Sequence, residues 1–302
     1  MGKEHLEVSH KVLVTGSEGF LGKRVVDFLE AAGHEVVRFD LALGQDISNR
    51  QHLNEAVSGC DVCIHLAAVS DLYVADFDPD ACAKINVAGT ANVALACRAN
   101  DCRLLYASTC CVYGNNNCSI SNESSPVVPT ELYAKTKLTG EQRVAEIGGN
   151  YTIMRLATFY GPGMRSSLAT YRFIEHMALG KEIQVHGDGE QTRCYTHVDD
   201  VARGIMLVLE AGADLSGKVI NIADQTAYSV NELIAIIEEQ FGDVAKKRFV
   251  TDRDGQIRSS VIDNSLLVSL GWKPSFSLVD GLASCMSSVI GEVEEAKLAG
   301  RK

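Results

Sequence analysis

Glycines at 16, 19 and 22 follow directly on the apolar run Lys11-Val-Leu-Val-Thr15, and Asp40 closes the next apolar run, Glu35-Val-Val-Arg-Phe39. No other feature constrains the fold as tightly. A strand that enters a glycine turn and leaves as a helix builds a βα unit whose helix N-terminus offers free amides to an anion. Gly16 permits the tight turn, Gly19 lets backbone amides approach a pyrophosphate, and Gly22 allows close helix–strand packing. Phe20 and Leu21 sit between the last two glycines, and helical character from Gly22 to Ala32 closes at Gly33. Asp40 stands 24 residues beyond Gly16, where a carboxylate accepts hydrogen bonds from an adenosine ribose and repels a 2′-phosphate. The pattern therefore predicts NAD rather than NADP, with Arg38 as the one neighbour arguing the other way.

Strand and helix patterns keep alternating after this unit. Val62–Ala68 reads as a strand, Asn86–Asn100 as a helix, Leu104–Ala107 as a strand, Tyr133–Glu146 as a helix and Tyr151–Arg155 as a strand. Repeated βα units predict an α/β fold, a Rossmann-type doubly wound parallel sheet with helices on both faces. After Tyr160-Gly-Pro-Gly163 the segments shorten. Glu182–His186 is followed by glycine-rich turns, Val198–Glu210 is helical, and Lys218–Ile222 looks like one more strand of the first sheet. Val230–Phe241 is an amphipathic helix. The expected organisation is a dinucleotide domain over 1–158, rejoined by 195–225, interleaved with a smaller α/β substrate-binding lobe over 159–194 and 226–302.

Whole-chain properties narrow the function. A length of 302 residues suits a two-lobed enzyme, and a formal charge of −11 disfavours nucleic acid or an anionic membrane as partner. No apolar run reaches the roughly 18 residues a membrane span needs, and the polar N-terminus does not read as a secretory signal. Ten cysteines lack a small-domain disulfide spacing. Cys60-Asp-Val-Cys63 has redox or zinc spacing, but Cys63 falls inside an apolar strand and no second pair follows. Buried thiols in a reducing cytoplasm, with no metal, are the expectation.

Tyr133 and Lys137 lie four apart, on one face of a helix, downstream of Ser108-Thr109. A positive charge lowers the proton affinity of a nearby phenol, so the pair can take a proton from a sugar hydroxyl while a nicotinamide takes hydride. Asp46 and Ile47, after a glycine-containing loop, are candidates for adenine contact. Leu66, Ala67 and Ala68 end the Val62 strand with residues small enough to run beneath a cofactor. Asn86 opens a helix and reads equally as a cap or a cofactor contact.

These residues together resemble the extended short-chain dehydrogenase/reductases, specifically the NAD-dependent nucleotide-sugar epimerase/dehydratase family with UDP-glucose 4-epimerase-like members. The matching pieces are Thr15–Gly22, His65–Ala68, Ser108–Gly114, Tyr133-x-x-x-Lys137, Arg155…Tyr160-Gly-Pro-Gly163, Gly187-Asp-Gly…Arg193…Val198-Asp-Asp200, Asn221-Ile-Ala and Leu270–Pro274. The resemblance implies a bound NAD that is transiently reduced and then reoxidised. Tyr133 would be the base at the sugar C4 hydroxyl, Lys137 would hold the nicotinamide ribose, and Thr109 would position the hydroxyl. Arg193 and Arg258 would clamp the diphosphate, and Leu168 and Tyr171 fall where the family holds substrate. A homodimer through Asn86–Asn100 and Leu132–Ile147 is also implied.

Two departures bear on the reaction. Thr158 stands where the family often has asparagine, which affects how the sugar is held. Cys110-Cys111 stands where sugar dehydratases carry Asp-Glu, so the usual carboxylate route to water loss is missing. Cys111 also occupies the place of the acid/base cysteine of 3,5-epimerases, whose His or Lys partner is lacking in Gly163–Ser167. The expectation is an NAD-dependent nucleotide-sugar 4-epimerase. The alternatives are dehydratase or 3,5-epimerase chemistry through Cys111, a 4-keto-sugar reductase, and a catalytically silent NAD-binding regulator.

Overall fold

The computed structural model describes residues 9–299. Its strands are β1 Lys11–Thr15, β2 Glu35–Phe39, β3 Val62–His65, β4 Arg103–Thr109, β5 Tyr151–Leu156, β6 Thr158–Tyr160, β7 Ile183–His186, β8 Thr192–His197, β9 Lys218–Ile222, β10 Ala227–Ser229 and β11 Lys247–Val250. Six of them form one sheet in the order β2-β1-β3-β4-β5-β9, parallel at every pairing. The Rossmann-type sheet expected from the βα alternation is present, with β9 at the edge beside β5.

Strand periodicity sorts side chains onto the two faces. Val12 and Val14 of β1, with Leu105 and Ala107 of β4, face a layer made by the helices Phe20–Ala31 and Val198–Glu210. Leu13, Leu104 and Tyr106 face the other way, toward helices Arg50–Val57, Thr90–Ala99 and Leu132–Ile147. Both faces are covered, so β4 is buried along its whole length, as a central parallel strand must be.

A second lobe holds two small sheets, β10-β8-β6 and β11-β7. Helices Ala169–Ala178, Val230–Phe241 and Leu278–Ala299 enclose its core around Tyr160, Ile174, Leu233, Ile237 and Leu282. Val230–Phe241 starts in a capping box, in which Ser229 Oγ accepts from the Glu232 amide at 3.1 Å and Glu232 Oε2 accepts from the Ser229 amide at 2.7 Å. The chain enters this lobe at β6, returns to the large sheet at β9, and leaves again at β10. Trp272 ties the last segment back by donating from Nε1 to the Asp200 carbonyl at 3.0 Å.

Two expected elements differ. The helix read over Asn86–Asn100 is a π-helical stretch, Lys84–Gly89, running into an α-helix over Thr90–Ala99. The strand expected over Val62–Ala68 stops at His65. The glycine turn crosses just beyond that point. A Cβ at Gly16 would lie 2.7 Å from the Ala67 amide nitrogen, so 66–68 bends past the turn instead of continuing the ladder.

Candidate functional site

The cofactor cradle begins where β1 ends. Gly16 has φ +75°, and an added Cβ at Gly22 would fall 1.9 Å from the Gly16 carbonyl oxygen. Only a bare backbone closes this turn, leaving the start of helix Phe20–Ala31 open to an anion. Asp40 caps the short turn Leu41–Leu43 through the Ala42 amide and also accepts from the Glu18 amide at 3.1 Å. The predicted ribose carboxylate therefore also braces the glycine loop. Arg38 is held by Glu18 and Glu30, which accounts for the one cation that argued for a 2′-phosphate.

Leu21 and Ile47 are buried, and Phe20 stacks on Phe159 with ring centroids 5.6 Å apart. Asp46 accepts from the Ser48 amide at 2.7 Å. Leu66 and Ala67 lie against the glycine turn at Gly16, and Ala68 follows them. Asn86 is not a helix cap. It is fully buried, accepts from the Val69 amide at 2.8 Å, and donates to the Val69 carbonyl at 2.9 Å and to Thr136 Oγ1 at 3.1 Å. Its amide fixes the segment just beyond Ala68.

The redox residues converge at the C-terminal end of the large sheet, the edge that also carries the glycine loop. Thr109 is the last residue of β4, and its Oγ1 accepts from the Cys111 amide at 3.2 Å. Tyr133 opens the long helix, and its phenol is pushed up by burial, while Arg165 and a hydrogen bond with Thr109 pull it down. The sequence spacing led us to expect Lys137 to be the cation lowering Tyr133. Instead the buried Lys137 ammonium lies over the Tyr106 ring, 4.5 Å from its centroid. Burial lowers its own proton affinity to about 7, against the upward pull of Glu141 one turn further along. Same-face spacing brought the two residues to one site without making them an ion pair.

A buried network supports this corner. Arg155 from β5 donates from Nε to Glu141 Oε1 at 3.0 Å and from Nη2 to Oε2 at 2.7 Å. Ser108 donates to the same carboxylate, Arg155 lies over the Tyr113 ring, and Tyr113 donates to Asn221 Oδ1. These bonds cross-link β4, β5, β9 and the helix bearing Tyr133 and Lys137.

The two cysteines behave differently from acids. Cys110 is buried, and its thiol donates to the Arg155 carbonyl. Cys111 is partly exposed, and its thiol is pushed up, first by burial and then by Glu131, with Thr109, Arg193 and Arg253 opposing. A thiolate is disfavoured there.

On the substrate-lobe side, Arg193 of β8 donates from Nη1 to the Thr192 and Ile257 carbonyls, and Thr158 pairs with Tyr195 in the adjoining strand. Arg258 is exposed and forms a two-pronged pair with Asp188 at 2.7 and 2.6 Å. Leu168 precedes helix Ala169–Ala178 and packs in the lobe core, while Tyr171 is turned to Glu292 of the C-terminal helix. The Tyr171 hydroxyl is thereby engaged within the second lobe.

Three charged residues at the site were not anticipated. Arg165 donates to Ser70 Oγ at 3.0 Å and acts on Tyr133. Arg253 lies over the Tyr73 ring and pairs with Glu131 at 2.5 Å. All three stand in loops or at an element start, where no periodicity marks them. The position of Glu131 two residues before Tyr133 was the only available signal. Among the described residues no cluster of His, Cys, Asp and Glu could hold a metal, and no helix is long and apolar enough to cross a membrane.

Comparison with known proteins agrees with this geometry. Residues 12–223 match the model of the NAD dependent epimerase/dehydratase family. A putative UDP-glucose 4-epimerase of Methanocaldococcus jannaschii is 30% identical over 297 residues, covering 90% of this chain and 95% of the relative. Two solved structures superpose along nearly the whole chain. UDP-glucuronic acid 4-epimerase from Bacillus cereus, in complex with UDP-glucuronic acid and NAD, has a TM-score of 0.86 and 29% identity and covers 93% of this chain and 99% of its own. MoeE5 in complex with UDP-glucuronic acid and NAD has a TM-score of 0.87 and 28% identity with the same coverage.

Proposed function

As a member of the NAD dependent epimerase/dehydratase family, this chain is an NAD-dependent sugar-modifying enzyme, and we propose that it epimerises a UDP-sugar at C4 through transient oxidation of that carbon. The observation that carries the choice of reaction is the pair of thiols after Thr109. Cys110 is buried and bonded to a backbone carbonyl, and Cys111 is held toward its neutral form. Proton removal at C5 lacks its usual carboxylates at these two positions. Oxidation and reduction at C4 need only the groups that are present.

The residues fit the cofactor, since bare glycines at 16 and 22 let the turn beside Asp40 close and leave the helix N-terminus open. Bound NAD supplies the two-electron oxidation of the alcohol and its reversal. Tyr133, once ionised, accepts the C4 hydroxyl proton and later returns it, and Thr109 holds that oxygen against the phenolate. Lys137 lies deeper and binds the nicotinamide ribose. Arg193 and Arg258 hold the diphosphate, for which Arg258 must leave Asp188. Thr158 and Leu168 border the sugar. The keto sugar turns over between the two half-reactions, so that hydride would return to the opposite face of C4 while Tyr133 gives the proton back to the oxygen.

We extend the proposal to a homodimer in the cytoplasm. All ten cysteines are free thiols, as a reducing compartment maintains them, and Leu95 of Thr90–Ala99 is an exposed apolar side chain on the pairing helices. The deciding experiment incubates purified enzyme with UDP-glucose and with UDP-glucuronate and resolves the C4 epimers. Epimer formation without added reductant is expected, with Tyr133→Phe slower by about 10²- to 10⁴-fold. Stoichiometric consumption of reduced nicotinamide, or a dehydrated product, would overturn the proposal.

A further inference from the structure

A carboxylate from another element comes near the cysteines that follow Thr109. Glu131 is the residue before the helix that carries Tyr133, with extended backbone angles of φ −86° and ψ 147°, yet its side chain caps no helix amide. The side chain is only 9% exposed, and Oε1 accepts from Arg253 Nη2 at 2.5 Å. A carboxylate so deeply placed must be paired, because desolvation of a lone charge costs several kcal/mol. Arg253 is itself held over the Tyr73 ring, 5.7 Å from its centroid. The pair therefore crosses from the catalytic helix to the substrate lobe, and Thr130 adds a second tie by donating to the Gly255 carbonyl at 2.5 Å.

The location is specific. Glu131 acts on Cys111, two residues beyond Thr109, and is acted on by Arg193 from β8. Two residues before Tyr133, it is thus near both the C4 chemistry and Arg193, one of the two arginines assigned to the diphosphate, where a hexose would sit. Only Oε1 is engaged by Arg253. Oε2 accepts no hydrogen bond from the described residues, and it is not one of the sealed side-chain atoms lacking a partner. An oriented carboxylate with one oxygen anchored and one free is an acceptor awaiting a hydroxyl.

We propose that Glu131, anchored by Arg253, is a sugar-binding residue whose free oxygen accepts from a hexose hydroxyl and so selects the sugar and sets its angle to Tyr133. This rests on the nucleotide-sugar reading above. A hydrogen bond to a charged acceptor contributes about 1.5–3 kcal/mol, so its loss should weaken sugar binding by about 10- to 100-fold.

Calorimetric titration of the wild type, Glu131→Gln and Arg253→Gln with UDP and with UDP-glucose tests this. UDP carries the diphosphate without the hexose. Glu131→Gln should bind UDP within about twofold of wild type and UDP-glucose about 10- to 100-fold more weakly. Arg253→Gln, which unanchors the carboxylate, should lose UDP-glucose selectively by a smaller factor, and it decides the question alone if Glu131→Gln does not fold. Equal losses for both ligands, or no loss for either, would overturn the assignment. Failure of the wild type to epimerise any UDP-sugar would sink the functional reading instead, since the binding contrast is measured without turnover.

Discussion

Replacing Lys137 with methionine removes a charge from one of the most costly places in the molecule. Burial takes this ammonium from the ordinary lysine value of 10.5 to about 7. The folded protein therefore binds the proton more weakly than the unfolded chain does. Between about pH 7 and 10.5 the unfolded chain holds more protons, so this group makes stability rise with pH, and its penalty is complete below 7. At about 1.4 kcal/mol per pH unit, the full penalty is about 5 kcal/mol, of which about 3 kcal/mol is relieved between pH 6 and 9. Methionine keeps much of the volume and has no proton to lose. Guanidinium unfolding of the ligand-free wild type and Lys137→Met at pH 6, 7.5 and 9 isolates the term, because titrating groups that do not feel Lys137 cancel in the difference. Methionine should be the more stable at pH 6, by an amount that shrinks by about 3 kcal/mol at pH 9. A difference that does not change with pH would refute the account of Lys137 as a charge kept in place for nucleotide binding at the expense of stability.

Three further outcomes follow from the geometry. Gly22→Ala puts a Cβ 1.9 Å from the Gly16 carbonyl oxygen, so the turn must open, and NAD retained per chain after purification should fall sharply. Glu141→Gln leaves the Arg155 guanidinium buried without its counter-charge, with both side chains 6% exposed in the native pair; denaturant unfolding should show a loss of about 3–5 kcal/mol. Cys111→Ala should keep 4-epimerisation within a few-fold of wild type, with no deuterium from solvent entering C5, as mass spectrometry of the product can establish.

Much of the large sheet was legible in the sequence because its strands are continuous apolar runs bounded by glycine or acidic residues. β1, β2 and β9 have the bounds that their apolar patterns suggested. The glycine loop, Asp40, Thr109 and Tyr133 could be found because each is fixed by chain-local geometry, a turn, a strand end or a helix start. Contacts closed by distant segments were not legible. Asn86 read equally as a cap or a cofactor contact, and only the fold shows Val69 and Thr136 claiming its amide. Lys137 had the right spacing for Tyr133, but Tyr106 and Glu141 decide where its charge lies. Glu131 shows in sequence only its nearness to Tyr133, because its partner Arg253 is 122 residues away.

The position of β9 bears on how the chain comes to be folded at all. β5 pairs with it from Thr152↔Lys218 to Leu156↔Ile222, so until some 220 residues exist, the inner strand β5 has an open edge. A fragment cut after β5 would expose that row of amides and carbonyls along buried side chains, a template for joining other copies. The pairing is also a long-range one that must wait for β6 to β8 to be made, which slows closure. The chain is thus poorly suited to being divided into a cofactor half and a substrate half, and expression of residues 9–158 alone should give aggregates instead of a small NAD-binding protein.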